Sequence, residues 1–374
     1  MHKMTATSTI LEHELSEVRL LVERQTGVVL DCPNSALAAH VAESVESHGL
    51  GSAGAWLERL RSTEQDPANL PRLLDGLINT RSGFFRHPTA MNALARQVLP
   101  QLQARKSADG TCPLRIWSAG CSTGEEAYSV AMAVCDAANA NGANGLPTSG
   151  RVATGNGVAS ASPSAKEKNG NSRNGGVAET PLPGLLQGGP NLAGGCGVHI
   201  VGSDLLPSNI EAAERGIYPQ SALAGLPPAT IRAYFSKIGS PNVVTAANNG
   251  SADGAESPAN GSGGGTQSTS VSNLHLLVKP RLRSLITFNC MNLARPGYIG
   301  RFDCIFCMDV LPHFSRAQRI AVMERLHLYL EPGGYLFLSQ TEKLCAPNLN
   351  FRPETFDGYT YYRKPVAASA AYGR

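Results

Sequence analysis

A glycine turn followed at once by two carboxylates is the part of this sequence best suited to chemistry: Ala119-Gly-Cys-Ser-Thr-Gly124, then Glu125 and Glu126. Glycines let backbone approach a ligand closely, and a helix that starts there presents unpaired N–H groups. The spacing of four from Gly120 to Gly124 departs from the dinucleotide pattern Gly-x-Gly-x-x-Gly. Carboxylates where a pyrophosphate would sit would also repel it, so a positively charged ligand suits this turn better. Without any ligand, the same acids complement the positive end of a helix. A second acid, Asp204, ends the run Ile200-Val-Gly-Ser-Asp204. In nucleotide folds a ribose-binding acid closes the second strand about 20 residues past the glycine turn. Asp204 lies 84 residues past Gly120, or 27 once the 57 residues 139–195 are set aside. Its alternative role is to cap the next helix.

The elements that must position these groups are legible as alternating strands and helices. Leu114 to Ala119 is a strand, and Glu125 to about Asn139 carries apolar residues at helical spacing. Val198 to Ser203, Phe302 to Phe306 and Gly334 to Leu338 are further strands, and Asn209 to Glu214 and 316–330 are helices. This alternation predicts an α/β fold with a mainly parallel, doubly wound sheet. Before it, residues 10–90 read as short helices, with Asn34 and Ser52 as N-caps and a further helix over Leu70 to Ile78. The expected domains are a helical unit over 1–95 and an α/β domain over 96–374.

Composition narrows the class. The 374 residues carry a net charge of +3, too balanced for a dedicated nucleic-acid binder. Nine scattered cysteines suit reduced thiols rather than a disulfide framework. Cys304 and Cys307 fall on opposite faces of a strand, which argues against a shared metal. No stretch approaches 18 apolar residues and Met1 to Glu17 has no apolar signal core, so a cytoplasmic protein is expected. The segments 139–195 and 239–272 are crowded with Gly, Ala, Asn, Ser, Thr and Pro, and are expected to be disordered insertions.

Glycine turn, acid pair and strand-end acid together suit a nucleoside bearing a positive centre, a description that S-adenosylmethionine meets. The run Trp117-Ser-Ala-Gly-Cys-Ser-Thr-Gly-Glu-Glu-Ala-Tyr-Ser129 is very similar to the cofactor motif of CheR-type methyltransferases, which esterify glutamate side chains of chemoreceptors. Ser82-Gly-Phe-Phe-Arg86, Gly202-Ser-Asp204, Arg215-Gly-Ile-Tyr218, Leu282 to Phe288, Asn292-Leu293, Phe302 to Cys307 and Leu330 to Leu338 resemble that family in the same order. The resemblance implies a Rossmann-like S-adenosylmethionine-binding domain behind a helical N-terminal domain, with S-adenosylhomocysteine as product. It implies cofactor contacts at Thr80, Ser82, Arg86, Ala119, Gly120, Gly124, Glu126, Asp204, Asn292, Leu293 and Asp309. Glu126 would hold the methionine amino group, Asp204 the ribose hydroxyls, and Asn292 with Leu293 the adenine side. Arg86 corresponds to the family's active-site arginine, and a guanidinium there can orient a carboxylate through a forked pair. The implied partner is the cytoplasmic helical bundle of a chemoreceptor, met by a monomer through a small β-subdomain within 218–278.

Three polar positions depart from the family. Its Asn-x-Thr before the phenylalanines is Thr80-Arg81-Ser82, its Arg-Asn after the strand is Met308-Asp309, and the tyrosine of its Ile-Tyr-Phe is His313. His313 joins Arg86 as a catalytic candidate, since either ring nitrogen can donate. Methyl transfer to a carboxylate needs no general base, because glutamate is ionised at neutral pH. The departures leave two alternatives beside a receptor glutamate methyltransferase: a weakly active or non-catalytic cofactor-binding signalling protein, and a methyltransferase with another acceptor.

Overall fold

The computed structural model describes residues 10–62, 75, 78, 82–111, 113–143, 197–238, 274–297, 299–346 and 348–366. Most of the segments expected as insertions, the helix expected over 70–78 and Thr80 lie outside the described residues.

The chain opens with three helices, α1 (Glu12–Thr26), α2 (Asn34–Ser47) and α3 (Ala53–Ser62). Their apolar stripes meet in one cluster around Leu21, Leu37, Trp56 and Leu60. Ser52 caps α3, its hydroxyl accepting the Ala55 N–H at 3.2 Å. Asn34 does not cap α2. It is the first helical residue, and its side-chain oxygen accepts from Arg19 instead.

Next come α4 (Pro88–Ala93), a π-helical turn Leu94–Val98, and α5 (Leu99–Asp109). Pro100 has no N–H to donate, so the regular ladder cannot pass through it. Ala90, Met91, Leu94 and Leu102 pack in the same core as the sheet. Residues 88–95 therefore belong by packing with the α/β layer, and the helical unit ends before the expected boundary at 95.

The α/β domain adds β1 (Leu114–Ala119), α6 (Glu125–Ala143), β2 (Val198–Asp204), α7 (Pro207–Arg215), β3 (Ile217–Pro219), α8 (Pro228–Tyr234), β4 (Phe235–Lys237), β5 (His275–Val278) and α9 (Pro280–Arg283). It ends with β6 (Ile286–Cys290), β7 (Phe302–Cys307), α10 (Arg316–Tyr329), β8 (Leu330–Leu338), β9 (Arg352–Phe356) and β10 (Tyr359–Arg363). The large sheet has the order β6-β2-β1-β7-β8-β10-β9. Its first five strands are parallel and β10 and β9 return antiparallel, giving the doubly wound α/β fold expected with an antiparallel edge. Cys304 faces one core layer and Cys307 the other, both fully buried. Strands β3, β5 and β4 form a separate antiparallel sheet inside the stretch where a small β-subdomain was expected. Among the described residues no helix is long and apolar enough to cross a membrane.

The seam between the helical unit and the sheet is short and specific. Gly27 ends α1 at φ 77, and a Cβ there would stand 2.5 Å from the Ala294 Cβ. The next residues pair with the loop after β7: Val28 bridges Phe314, and the Val29 N–H donates to His313 O at 2.7 Å. Asn292 and Arg295 donate to the Gln25 carbonyl. Gly49, at φ 64, has open space around it. Both Gly27→Ala and Gly49→Ala put an L residue in the left-handed region, at a cost of about 1 kcal/mol, but only the first adds a clash. Urea denaturation should show about 1 kcal/mol lost for Gly49→Ala and roughly 2 or more for Gly27→Ala; equal losses would mean the seam is not tight.

Candidate active site

Strands β2 and β7 flank β1 on opposite sides, so the crevice outside the carboxyl ends of these strands is where an open α/β sheet binds ligands. A cavity of about 1010 Å³, including its mouth, lies there. The glycine turn forms its floor. Gly120, at φ 83, passes so close to Val310 that a Cβ would approach a methyl to 2.5 Å. Gly120 and Cys121 both donate their N–H groups to Ser203 O at 2.8 Å, tying the turn to the end of β2.

The acid pair divides. Glu125 is buried and accepts from the Thr123 hydroxyl at 2.7 Å, serving the turn, while Glu126 lines the cavity. Ser118 on β1 donates to Glu126 at 2.6 Å. Burial pushes the Glu126 carboxyl up to about 7, Ser118 opposes the shift, and the negative Asp309 and Glu342 nearby add to it. A carboxylate so destabilised gains most from a cationic ligand, so the residues present fit an ammonium-bearing nucleoside.

Asp204 combines the two roles weighed for it. Its Oδ1 accepts the Leu206 N–H at 3.0 Å and the Asn209 amide at 2.9 Å at the start of α7. Its Oδ2 accepts the Ser122 N–H at 2.9 Å, and the residue lines the cavity. A carboxylate has about four lone-pair sites, so three bonds leave room for a ligand hydroxyl.

Arg86 is set by the turn before α4. Phe84 wedges edge-on between Tyr218 and Phe235, at ring distances of 4.9 and 5.4 Å. Phe85 takes φ 50 and donates its N–H to the Ser129 hydroxyl on α6 at 2.9 Å. These two anchors leave Arg86 at the cavity mouth, its Nη 3.2 Å from Asp309 Oδ2. His87 Nε2 meets the same oxygen at 2.9 Å.

Ser82, Arg86, Gly120, Glu126, Asp204, Asn292, Leu293, Asp309 and His313 thus line one cavity. Ala119 and Gly124 do not. Ala119 is fully buried in the sheet, and Gly124 serves packing: a Cβ there would meet that of Ala213 at 2.7 Å. Asn292 Oδ1 accepts the Ala294 N–H at 2.8 Å, closing a turn beside Leu293. His313 sits exposed at the rim, after a 3-10 turn (Leu311–His313).

Sequence reading missed two groups. His87 stands next to Arg86 and was open to notice. Glu342 is distant in the chain and buried, and its carboxylate accepts three backbone N–H groups, from Asp309 at 3.0 Å, Leu311 at 2.9 Å and Ser339 at 2.9 Å. Nothing local at Glu342 signals that role. Among the described residues no group of His, Cys, Asp and Glu could hold a metal ion.

Comparisons with known proteins agree with this placement. The family described as CheR methyltransferase, SAM binding domain, matches residues 80–145 and 266–359. Chemotaxis protein methyltransferase 1 of Pseudomonas aeruginosa is 26% identical over 348 residues, covering 89% of this chain and 95% of that one. A chemotaxis protein methyltransferase of Vibrio parahaemolyticus is 24% identical, over 92% of this chain and 93% of that one. Among solved structures, magnesium protoporphyrin IX methyltransferase from Synechocystis with bound SAM is 13% identical over 82% of this chain and 93% of that chain, at a TM-score of 0.27, too low to bear on function. The first matched segment carries Arg86, the glycine turn and Glu126, and the second carries Asn292, Asp309 and Glu342, so the match falls on the cavity's own walls; the chain belongs to the CheR family of S-adenosylmethionine-binding methyltransferases.

Proposed function

We propose that this protein transfers a methyl group from S-adenosylmethionine to glutamate side chains on the cytoplasmic helical bundle of a chemoreceptor, giving methyl esters, and that it works in the cytoplasm as a monomer. The observation that carries the reading is the gathering of Glu126, Asp204 and Arg86 on one cavity at the carboxyl ends of β1 and β2. Family membership and the names of the relatives support it.

The bound cofactor supplies an activated methyl on a sulfonium centre. Glu126 takes its ammonium group, Asp204 the ribose hydroxyls, and Asn292 with Leu293 the adenine side. The close backbone at Gly120 lets the ligand lie against the turn. Arg86, at the mouth, pairs with the incoming carboxylate and fixes its direction of approach. His313, on the rim, donates to the acceptor. No side chain has to remove a proton, because the acceptor arrives ionised. Alignment is therefore the protein's main contribution, and removing one aligning group slows the reaction without changing its course.

Tritium transfer from labelled S-adenosylmethionine to chemoreceptor-bearing membranes tests the reading. Base-labile label on receptor is expected, and binding of cofactor without label would overturn it. Arg86→Ala should lower kcat/KM at least about a hundredfold, while S-adenosylhomocysteine binding changes less than about threefold. A comparable loss of both would make Arg86 a cofactor group.

Glu126 gives the binding a pH dependence. Its carboxyl must be ionised to pair with an ammonium, so with a value of about 7 S-adenosylhomocysteine should bind roughly fivefold to tenfold more tightly at pH 7.5 than at pH 6. Calorimetry near pH 7 should record proton release on binding, and Glu126→Gln should bind weakly with a flat profile. The linked effect on the ligand-free fold has the opposite sense: the unfolded chain releases this proton near 4.5, so stability falls as pH rises from there through about 7.

A further inference from the structure

A carboxylate already stands where Arg86 would receive one. Asp309 Oδ2 lies 3.2 Å from an Arg86 Nη and 2.9 Å from His87 Nε2. Asp309 is held there by its backbone. It occupies the left-handed region at φ 58, which Asp adopts more readily than most residues. Its N–H is fixed by the buried Glu342, which also holds Leu311 and Ser339. The charge of Asp309 is therefore a built part of the cavity wall rather than the end of a wandering side chain.

Resting on the reading of Arg86 as the group that takes the acceptor carboxylate, we propose that Asp309 is an internal competitor for Arg86 that sets the affinity of the site for its acceptor. His87 is the second cation or donor, and holds Asp309 when the guanidinium turns to an incoming carboxylate. The exposures fit this division of labour. The Arg86 side chain is 46% exposed at the mouth and able to swing, whereas that of His87 is 22% exposed and held in the wall. A guanidinium fork matches one carboxylate bidentately, and two carboxylates on it repel each other. Asp309 thus makes the site selective: an acceptor must displace it, so isolated carboxylates bind poorly and a glutamate presented by a larger docked surface binds well.

The test uses the full chain saturated with S-adenosylhomocysteine, with acetate as the carboxylate probe and the Arg86 Nε–H resonance as the readout. Asp309→Asn keeps the shape and removes the charge, while Asp309→Gly suits the backbone and removes the side chain. Both are expected to bind acetate at least about fivefold more tightly than wild type. His87→Ala should weaken acetate at least about threefold in the wild-type background, and by less than about twofold in Asp309→Asn, where no charge remains to be held aside. Equal acetate affinity in wild type and Asp309→Asn overturns the proposal, as does an Arg86 resonance that no acetate concentration moves in any variant. No methyl is transferred in this titration, so its failure is separate from failure to label receptor membranes, which tests the function itself.

Discussion

The rest of the site depends on one interaction that the protein leaves incomplete. Glu126 is a carboxylate placed where burial raises it to about 7, with the Ser118 hydroxyl donating to it. A fold does not gain by burying such a group, because the charged form loses hydration and a single neutral donor returns only part of it. The position becomes favourable when a cation enters the cavity. From this follow the kind of ligand admitted, the ionisation change on binding, and the placing of Asp204 across the turn for the uncharged end of the same ligand.

The glycine turn and the two strand ends make that arrangement possible. Gly120 brings the backbone against Val310, and its N–H and that of Cys121 clamp the turn to Ser203, so the floor is built from main chain. The walls come from farther away. Phe84 and Phe85 brace the turn that ends in Arg86, and Glu342 collects the N–H groups of the loop that carries Asp309. The helical unit contributes Val28 and is locked by the contact of Gly27 with Ala294. Rigid main chain thus holds the nucleoside side of the cavity, while the acceptor side is made from long polar side chains that can exchange partners.

How much of this was legible in the sequence follows from how local each signal is. The strand, glycine turn and helix around Gly120 are consecutive, so periodicity alone placed Glu126 and the parallel sheet. Asp204 was found only after 139–195 had been set aside, and its double duty as helix cap and cavity wall emerged from the structure. Gly124 looked like a ligand-binding glycine because of its place in the motif, yet its lack of a side chain serves the approach of α7. The boundary at 95 was placed too late because α4 has the same apolar spacing whichever layer it packs on. Glu342 and His87 escaped because their roles are set by contacts across more than 30 and 200 residues of chain, which no spacing rule reports.

The central claim, that Glu126 reads the ammonium group of a cationic nucleoside, is tested most directly by comparing S-adenosylhomocysteine with 5′-methylthioadenosine, which keeps the nucleoside and lacks the amino acid. Calorimetric affinities for both ligands are needed on wild type, Glu126→Gln and Asp204→Asn. The account predicts a strong wild-type preference for S-adenosylhomocysteine that collapses in Glu126→Gln, while Asp204→Asn weakens both ligands alike. A preference that survives unchanged in Glu126→Gln would contradict it, and would place recognition of the amino group elsewhere in the cavity.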